Sequence, residues 1–262
     1  MKEVKFYLSH AGETVEISFA PTEFVYLQEN LLSQFIKVWG SFLVRSKKAD
    51  FRINVVPEET KDSVFVREGG KKYYFLTFLR DFRHNRVTTY YSAGIRNLDT
   101  LLKEVFAYLV EKDGFLLHCS SLKDKKGQIH AFLARSGGGK TTTASTLSGK
   151  GFAKFGDDIM IVRKLKGKWR FFSPPFIEKD RAPVKGESAS ARLCLVKKTK
   201  KAYLRRLEDR KKVLPFLLGQ VWLRDGKLSK KTLVNVISFL KDNDFYELGA
   251  ILNKKEMRKL IV

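Results

Sequence analysis

FLARSGGGKTTTASTLSGKGFAKFGDDIMIV, Phe132–Val162, holds the residues that decide how this chain is read. An apolar run ends at Ala134, three glycines lead into Lys140-Thr141, and a helix-forming stretch follows before a second apolar run and the pair Asp157-Asp158. A phosphate loop has the pattern GxxxxGK followed by Ser or Thr, set between a strand and a helix. Ala134 to Thr141 matches it at every fixed position but the first. That first position is chiefly a turn, where a small side chain with ordinary dihedrals can serve. Gly137, Gly138 and Gly139 allow positive φ, so successive N–H groups can turn inward as an anion nest beside the helix N-terminus. Lys140 supplies a positive charge for β and γ phosphates, and the Thr141 hydroxyl suits Mg2+. Arg135, Ser136 and Thr142 complete the expected nucleotide-binding set.

The acidic pair lies only 17 to 18 residues beyond Lys140, after the loop helix and one short strand. Adjacent carboxylates on an extended segment point opposite ways, so both can face a phosphate only if the chain bends, and Gly156 is the expected place. One carboxylate then helps hold the metal while the other accepts a proton from an incoming hydroxyl. A simple turn between strands is the alternative. The neighbouring phosphate loop favours function.

Around this stretch the predicted elements are mixed. VKFYL and VEISFA flank Ala11-Gly12 as a hairpin, and Phe24, Leu27, Leu31, Phe35, Ile36 and Trp39 follow helical spacing up to Gly40. FRINVV, SVFV, YYFLTFL and TTYYSA read as strands, with Gly69-Gly70 turning a second hairpin. Asn97 or Asp99 is expected to cap a helix carrying the Leu101, Leu102, Val105, Phe106, Leu109 and Val110 stripe. FLLHCSSL (115–122) and IHAFLA (129–134) read as one hairpin across KDKKG, followed by the strands IMIVRK, WRFFS and LCLVKK and helical patterns at 208–219, 230–241 and 253–260. The expected organisation is a small α+β N-terminal lobe over residues 1–112 and an α/β, mixed-sheet phosphate-loop lobe with C-terminal helices over residues 113–262.

Composition narrows the classes. No run approaches the eighteen or so apolar residues of a membrane span, and the start MKEVKFYLSHAGE lacks the features of a signal segment, so a cytoplasmic protein is expected. Cys119 and Cys194 fit neither a metal-ligand spacing nor a disulfide framework. A net charge of +23 draws in anionic partners: nucleotide, acidic peptide, nucleic acid or a membrane surface. A lysine-rich solvated surface is the alternative. The densest cluster, VKKTKKAYLRRLEDRKK at 196–212, carries no nucleic-acid-binding signature.

LLHCSSLKDKKGQIHAFLARSGGGKTT followed by GFAKFGDD resembles the HPr kinase/phosphorylase group, in which a histidine-bearing strand precedes the phosphate loop and a paired aspartate follows the loop helix. HCSS with a GKTT loop is also similar to the matching motifs of ATP-dependent phosphoenolpyruvate carboxykinase, a relative of those kinases. The resemblance covers about residues 114–200; SPPF, LCLVKK and Leu204-Arg205-Arg206-Leu207 resemble the downstream part of HPr-kinase-like proteins, including those that phosphorylate a serine on peptide natural products. It implies a kinase lobe of the HPr kinase/carboxykinase type, Lys140 on the transferred phosphate, metal at Thr141 and Asp157, Asp158 as the base, and His118 close to the phosphoryl group. In the carboxykinases the matching histidine binds metal. A downstream metal-binding glutamate is also implied, with Glu178 nearest and Glu187 second. The N-terminal lobe shows no match to that of true HPr kinases, so the resemblance speaks to the chemistry more than to the acceptor. From the residues alone, His118 is either a donor to a phosphate oxygen or a satisfied core side chain.

The expected function is therefore ATP- and Mg2+-dependent transfer of a γ-phosphoryl group to a hydroxyl, a serine of a protein, a peptide or the free amino acid first, with an anionic acceptor suiting the charge. The alternatives are a polyol or sugar kinase of the same fold and a non-catalytic nucleotide-binding switch or nucleic-acid-associated module. A homo-oligomer is compatible with all of these.

Overall fold

The computed structural model describes the chain apart from residues 1, 24, 46–47, 58–62, 69–70, 77–78, 92–93, 150, 179–180 and 262. Phe24, the Gly69-Gly70 turn and parts of the expected strands at 73–79 and 88–93 thus lie outside the described residues. The protein is of mixed α/β class and folds as two compact units, residues 1–109 with 175–183 and residues 110–174 with 184–262. Among the described residues no helix is long and apolar enough to cross a membrane.

The first unit contains β1 (Val4–His10), β2 (Glu13–Phe19), α1 (Val25–Trp39), β3 (Leu43–Val44), β4 (Phe51–Val56), β5 (Ser63–Glu68), β6 (Lys71–Leu76), β7 (Leu79–Asp81), β8 (Arg86–Tyr90) and α2 (Gly94–Val110), the last reaching into the boundary. Its main sheet runs β3-β1-β2-β4-β8-β7, and β5 pairs antiparallel with β6. Ala11 and Gly12 both take positive φ (51° and 82°), the turn geometry that matches strand twist in a two-residue hairpin. Helix α2 starts at Gly94, earlier than the expected caps. Asp99 is instead buried inside the helix, where its Oδ1 accepts the Ile177 N–H at 2.7 Å. Burial raises its carboxyl above the ordinary range, against the Ile177 N–H and the Lys103 ammonium, which lower it. With Trp39 donating to the Pro175 carbonyl at 2.8 Å and Phe106 edge-on to Phe176, this explains why residues 175–183 belong to the first unit, which a linear division at 112/113 does not contain.

The second unit contains β9 (Gly114–His118), β10 (Ser120–Asp124), β11 (Ile129–Leu133), α3 (Lys140–Leu147), β12 (Phe152–Gly156), β13 (Ile159–Leu165), β14 (Lys168–Phe172), β15 (Glu187–Ser188), β16 (Ala191–Lys198), β17 (Tyr203–Leu207), α4 (Arg210–Leu218), β18 (Val221–Trp222), α5 (Lys230–Asp242), β19 (Phe245–Ala250) and α6 (Lys254–Ile261). One sheet, β12-β10-β11-β16-β19-β17, is mixed, with β11, β16 and β19 parallel at its centre. The other, β15-β14-β13-β9-β18, is antiparallel throughout. Alternation along β11 sends Ile129, Ala131 and Leu133 into a core shared with Leu117, Met160 and Val162 of the antiparallel sheet and Val213 and Phe239 of α4 and α5. Phe132 points the other way, into a second core with Ala144 and Leu147 of α3 and Met257 of α6. The mixed sheet is thus buried on both faces, which is why its central strands read as nearly unbroken apolar runs.

The expected hairpin over 115–134 is corrected in one respect. FLLHCSSL is two strands, β9 in the antiparallel sheet and β10 in the mixed one, changing sheet at Cys119. Strand β19 was not expected from its sequence, FYELGA, yet it lies between β16 and β17.

An ion pair with a buried arginine ties the residue before β9 to β13. Asp113 receives Arg163 through two bonds, Nε to Oδ1 and Nη2 to Oδ2, both 2.6 Å, and the Arg163 side chain is only 3% exposed. Removing the partner of a buried charge costs far more than the pair itself contributes. Asp113→Ala is expected to lower stability by about 3 kcal/mol, visible as a reduced urea midpoint with an unchanged denaturant slope.

Candidate functional site

Two chain crossings build the site. At Cys119 the chain leaves the antiparallel sheet for the mixed one, and at Asp157-Asp158 it returns, so the crossings run side by side. On one side of this junction Ser121 pairs with Gly156, on the other His118 pairs with Ile159, and the Cys119 N–H donates to the Asp158 carbonyl at 3.1 Å between them. The bend predicted at Gly156 falls on the two aspartates that follow it. Gly156 is needed for closeness: a Cβ there would stand 2.8 Å from the Ile159 carbonyl oxygen and 3.3 Å from Ser121 Oγ.

The bend separates the two carboxylates by environment. The Asp157 side chain is 1% exposed; its Oδ1 accepts from Ser120 Oγ at 3.1 Å and its Oδ2 from Lys154 Nζ at 2.8 Å. Ser120, fully buried, also reaches the Asp157 carbonyl at 3.0 Å and lies 3.3 Å from Thr141 Oγ1. Asp158, by contrast, keeps 55% of its side chain exposed, with Oδ1 3.2 Å from His118 Nε2. One aspartate is locked; its neighbour faces outward beside an imidazole.

The glycine loop that leads into Lys140 follows β11. Gly137 (φ 71°) and Gly139 (φ 95°) adopt the left-handed backbone, and Gly139 caps α3. Gly138 does not adopt positive φ, contrary to expectation. It is required for space, since a Cβ there would lie 2.7 Å from the Ala134 Cβ and 2.9 Å from the Arg135 carbonyl oxygen. Ala134 at the first loop position is itself buried in the core beneath the loop, so a small side chain suits both positions. Lys140, 8% exposed, donates to the Ala134 carbonyl at 2.8 Å. Burial pulls its ammonium below the usual lysine range, while the charge of Asp158 works in the opposite direction. Arg135, Ser136 and Thr142 are exposed around the loop.

Of the residues expected from sequence, Thr141 on α3 meets Asp157 at the bend through Ser120 on β10, and the adjacent Asp158 meets His118 at the end of β9; Lys140, at the start of α3, feels the charge of Asp158. Glu178 belongs to the first unit, where it exchanges backbone hydrogen bonds with Arg181. Glu187 sits on β15 and holds Arg170 through a 2.8 Å bond from Nε. Ser120 and Lys154 were missed as site residues. The polar pair Ser120-Ser121 within an otherwise apolar run was the available signal for the first; Lys154 reaches Asp157 only because the chain bends, and no spacing rule indicates it.

Comparison with protein-family models finds no match, and comparison with curated proteins finds none.

Among the described residues no three His, Cys, Asp or Glu side chains converge as a metal-binding group. The oxygens of Thr141 and Asp157, linked through Ser120, fit a hard cation that keeps several waters and takes further oxygens from a substrate, as Mg2+ does. They do not fit a metal that needs a full protein cage. Cys194 is excluded as a nucleophile or soft ligand, its thiol pushed up to about 12 by burial.

Ser120→Ala removes the donor shared by the Asp157 carboxylate and carbonyl, both in the interior. A loss of about 1–2 kcal/mol of stability is expected, measured by urea unfolding.

The basic segment is largely paired within its own unit. Glu247 receives Lys197 and Arg205, Asp244 receives Arg206 and Arg210, and Asp209 receives Lys212. The Lys197 ammonium, more than any other group, holds the Glu247 carboxyl below the ordinary range.

Proposed function

We propose that this chain is an ATP-dependent kinase that moves the γ-phosphoryl group to a hydroxyl acceptor, a serine in a protein, in a peptide or free. One observation carries the proposal: in one unit Thr141 reaches a locked Asp157 through Ser120, and the next residue, an outward-facing Asp158 with its own histidine, lies close enough for its charge to act on the ammonium of the loop's Lys140. Nucleotide binding alone requires the loop. An exposed carboxylate next to a histidine, beside the place where phosphate would lie, adds what a transfer to a hydroxyl requires.

The mechanism follows from the environments. Backbone N–H groups of the glycine loop and the N-terminus of α3 bind the phosphates, and Lys140 exchanges its bond to the Ala134 carbonyl for a phosphate oxygen. Thr141 and Asp157 would hold Mg2+, which would supply positive charge against that of the phosphates, and Lys154 holds the Asp157 carboxylate in place through Oδ2. Asp158 accepts the proton of the acceptor hydroxyl as its oxygen bonds to the γ phosphorus and the bond to the bridging oxygen of ADP breaks. His118, through Nε2, fixes the orientation of the Asp158 carboxylate. Catalysis is then mainly positioning and electrostatic complementarity. The intramolecular pairing of the basic segment favours this reading over a nucleic-acid module, because its arginines are already engaged by carboxylates.

The test is incubation with γ-labelled ATP and Mg2+ against a panel of serine peptides, free serine and polyols. A labelled phosphoester is expected. Tight nucleotide binding with no labelled ester from any acceptor class would favour the switch and sink the kinase.

A further inference from the structure

Lysine 198 ends β16, which runs parallel to β11 in the register Leu133 to Leu195, so both strands finish at the same edge of the sheet. The phosphate loop follows β11, and open α/β sheets bind their ligands at the carboxyl ends of such strands. Alternation decides which face each β16 side chain takes. Cys194 and Val196 enter the core under α3 and α6, and Lys198 continues that face toward the N-terminus of α3. Its stem passes the loop: Lys198 Cε lies 3.6 Å from where a Cβ on Gly139 would stand, and Cγ lies 3.9 Å away. Lys197 takes the opposite face and pairs with Glu247. Among the described residues Lys198 forms no ion pair.

Resting on the phosphate-loop reading above, we propose that Lys198 is a second phosphate-binding cation, reaching the bound nucleotide's polyphosphate from the neighbouring strand while Lys140 reaches it from the helix. An ammonium without a carboxylate, held against the glycine that caps the loop helix, loses nothing internal when it pairs with a phosphate oxygen. The charge-assisted bond then adds to affinity without breaking an ion pair inside the protein. Lys197, one residue earlier, is the internal control: equal in charge, turned to the other face and already engaged.

The test is calorimetric binding of ATP and of inorganic tripolyphosphate to the wild type, Lys198→Ala, Lys198→Arg and Lys197→Ala, with urea midpoints showing that each variant is folded. Lys198→Ala is expected to weaken both ligands about tenfold, the size of one charge-assisted hydrogen bond, with Lys198→Arg within about threefold of wild type and Lys197→Ala unchanged. Wild-type affinity for tripolyphosphate in Lys198→Ala overturns the assignment and leaves the phosphate loop standing. An equal loss in Lys197→Ala also overturns it, because general surface charge then explains the effect. Absence of binding in the wild type removes the phosphate loop and this assignment together.

Discussion

Asp158→Asn is expected to lower phosphoryl transfer by about 10³–10⁴-fold while nucleotide affinity stays within about twofold of wild type. The amide keeps the size and the contact with His118 but cannot take up the acceptor's proton. Because the Asp158 side chain is 55% exposed and asparagine keeps its size, the replacement opens no cavity, and the urea midpoint should hold. Asp157→Asn is the contrasting case. That carboxylate is 1% exposed between Ser120 and Lys154, so its loss should reduce stability as well as transfer. Single-turnover kinetics with γ-labelled ATP, run beside nucleotide titrations of both variants, separate the two roles. Transfer at the wild-type rate by Asp158→Asn would remove it as the base.

Lys140→Met is expected to lower transfer by about 10³-fold and to weaken ATP binding, yet to unfold at a urea concentration no lower than wild type. The ammonium is buried against a carbonyl, and burial lowers its pKa in the folded state. For a base with a depressed folded pKa, the unfolded chain binds more protons between the depressed value and the ordinary one. Stability therefore rises as pH increases through that window, and below it the charged lysine works against folding. Methionine fills the stem's volume without the charge. A large fall in the midpoint of Lys140→Met would show that the lysine serves the fold rather than a phosphate. Activity should likewise fall as pH rises through the depressed Lys140 value, which a pH–rate profile would reveal as an alkaline limb that Lys140→Met lacks.

Much of the site was legible because phosphate chemistry demands residue types at short spacing. Gly137, Gly139, Lys140 and Thr141 stand in one loop and the first turn of α3, and local backbone rules suffice to anticipate positive φ and a helix start there. Legibility fell where the cause was a contact between distant segments. Gly138 looked like a third left-handed glycine and is instead a glycine of close approach to Ala134. Asp99 looked like a helix cap and is a buried acceptor for Ile177. FLLHCSSL looked like one strand because both halves are apolar, and nothing local says that they serve different sheets.

By itself, then, the sequence determined the two-sided burial of β11, the glycine loop that leads into Lys140 and the start of α3, and the presence of an acidic pair soon after that helix. Each of these depends on neighbours within a few residues. The tertiary structure alone decided how the pair divides its labour. The adjacent crossings at Cys119 and Asp157-Asp158 bury one carboxylate against Ser120 and Lys154 and turn the other outward to His118, and exposure of that kind follows from packing between strands 37 to 40 residues apart, which no local pattern encodes.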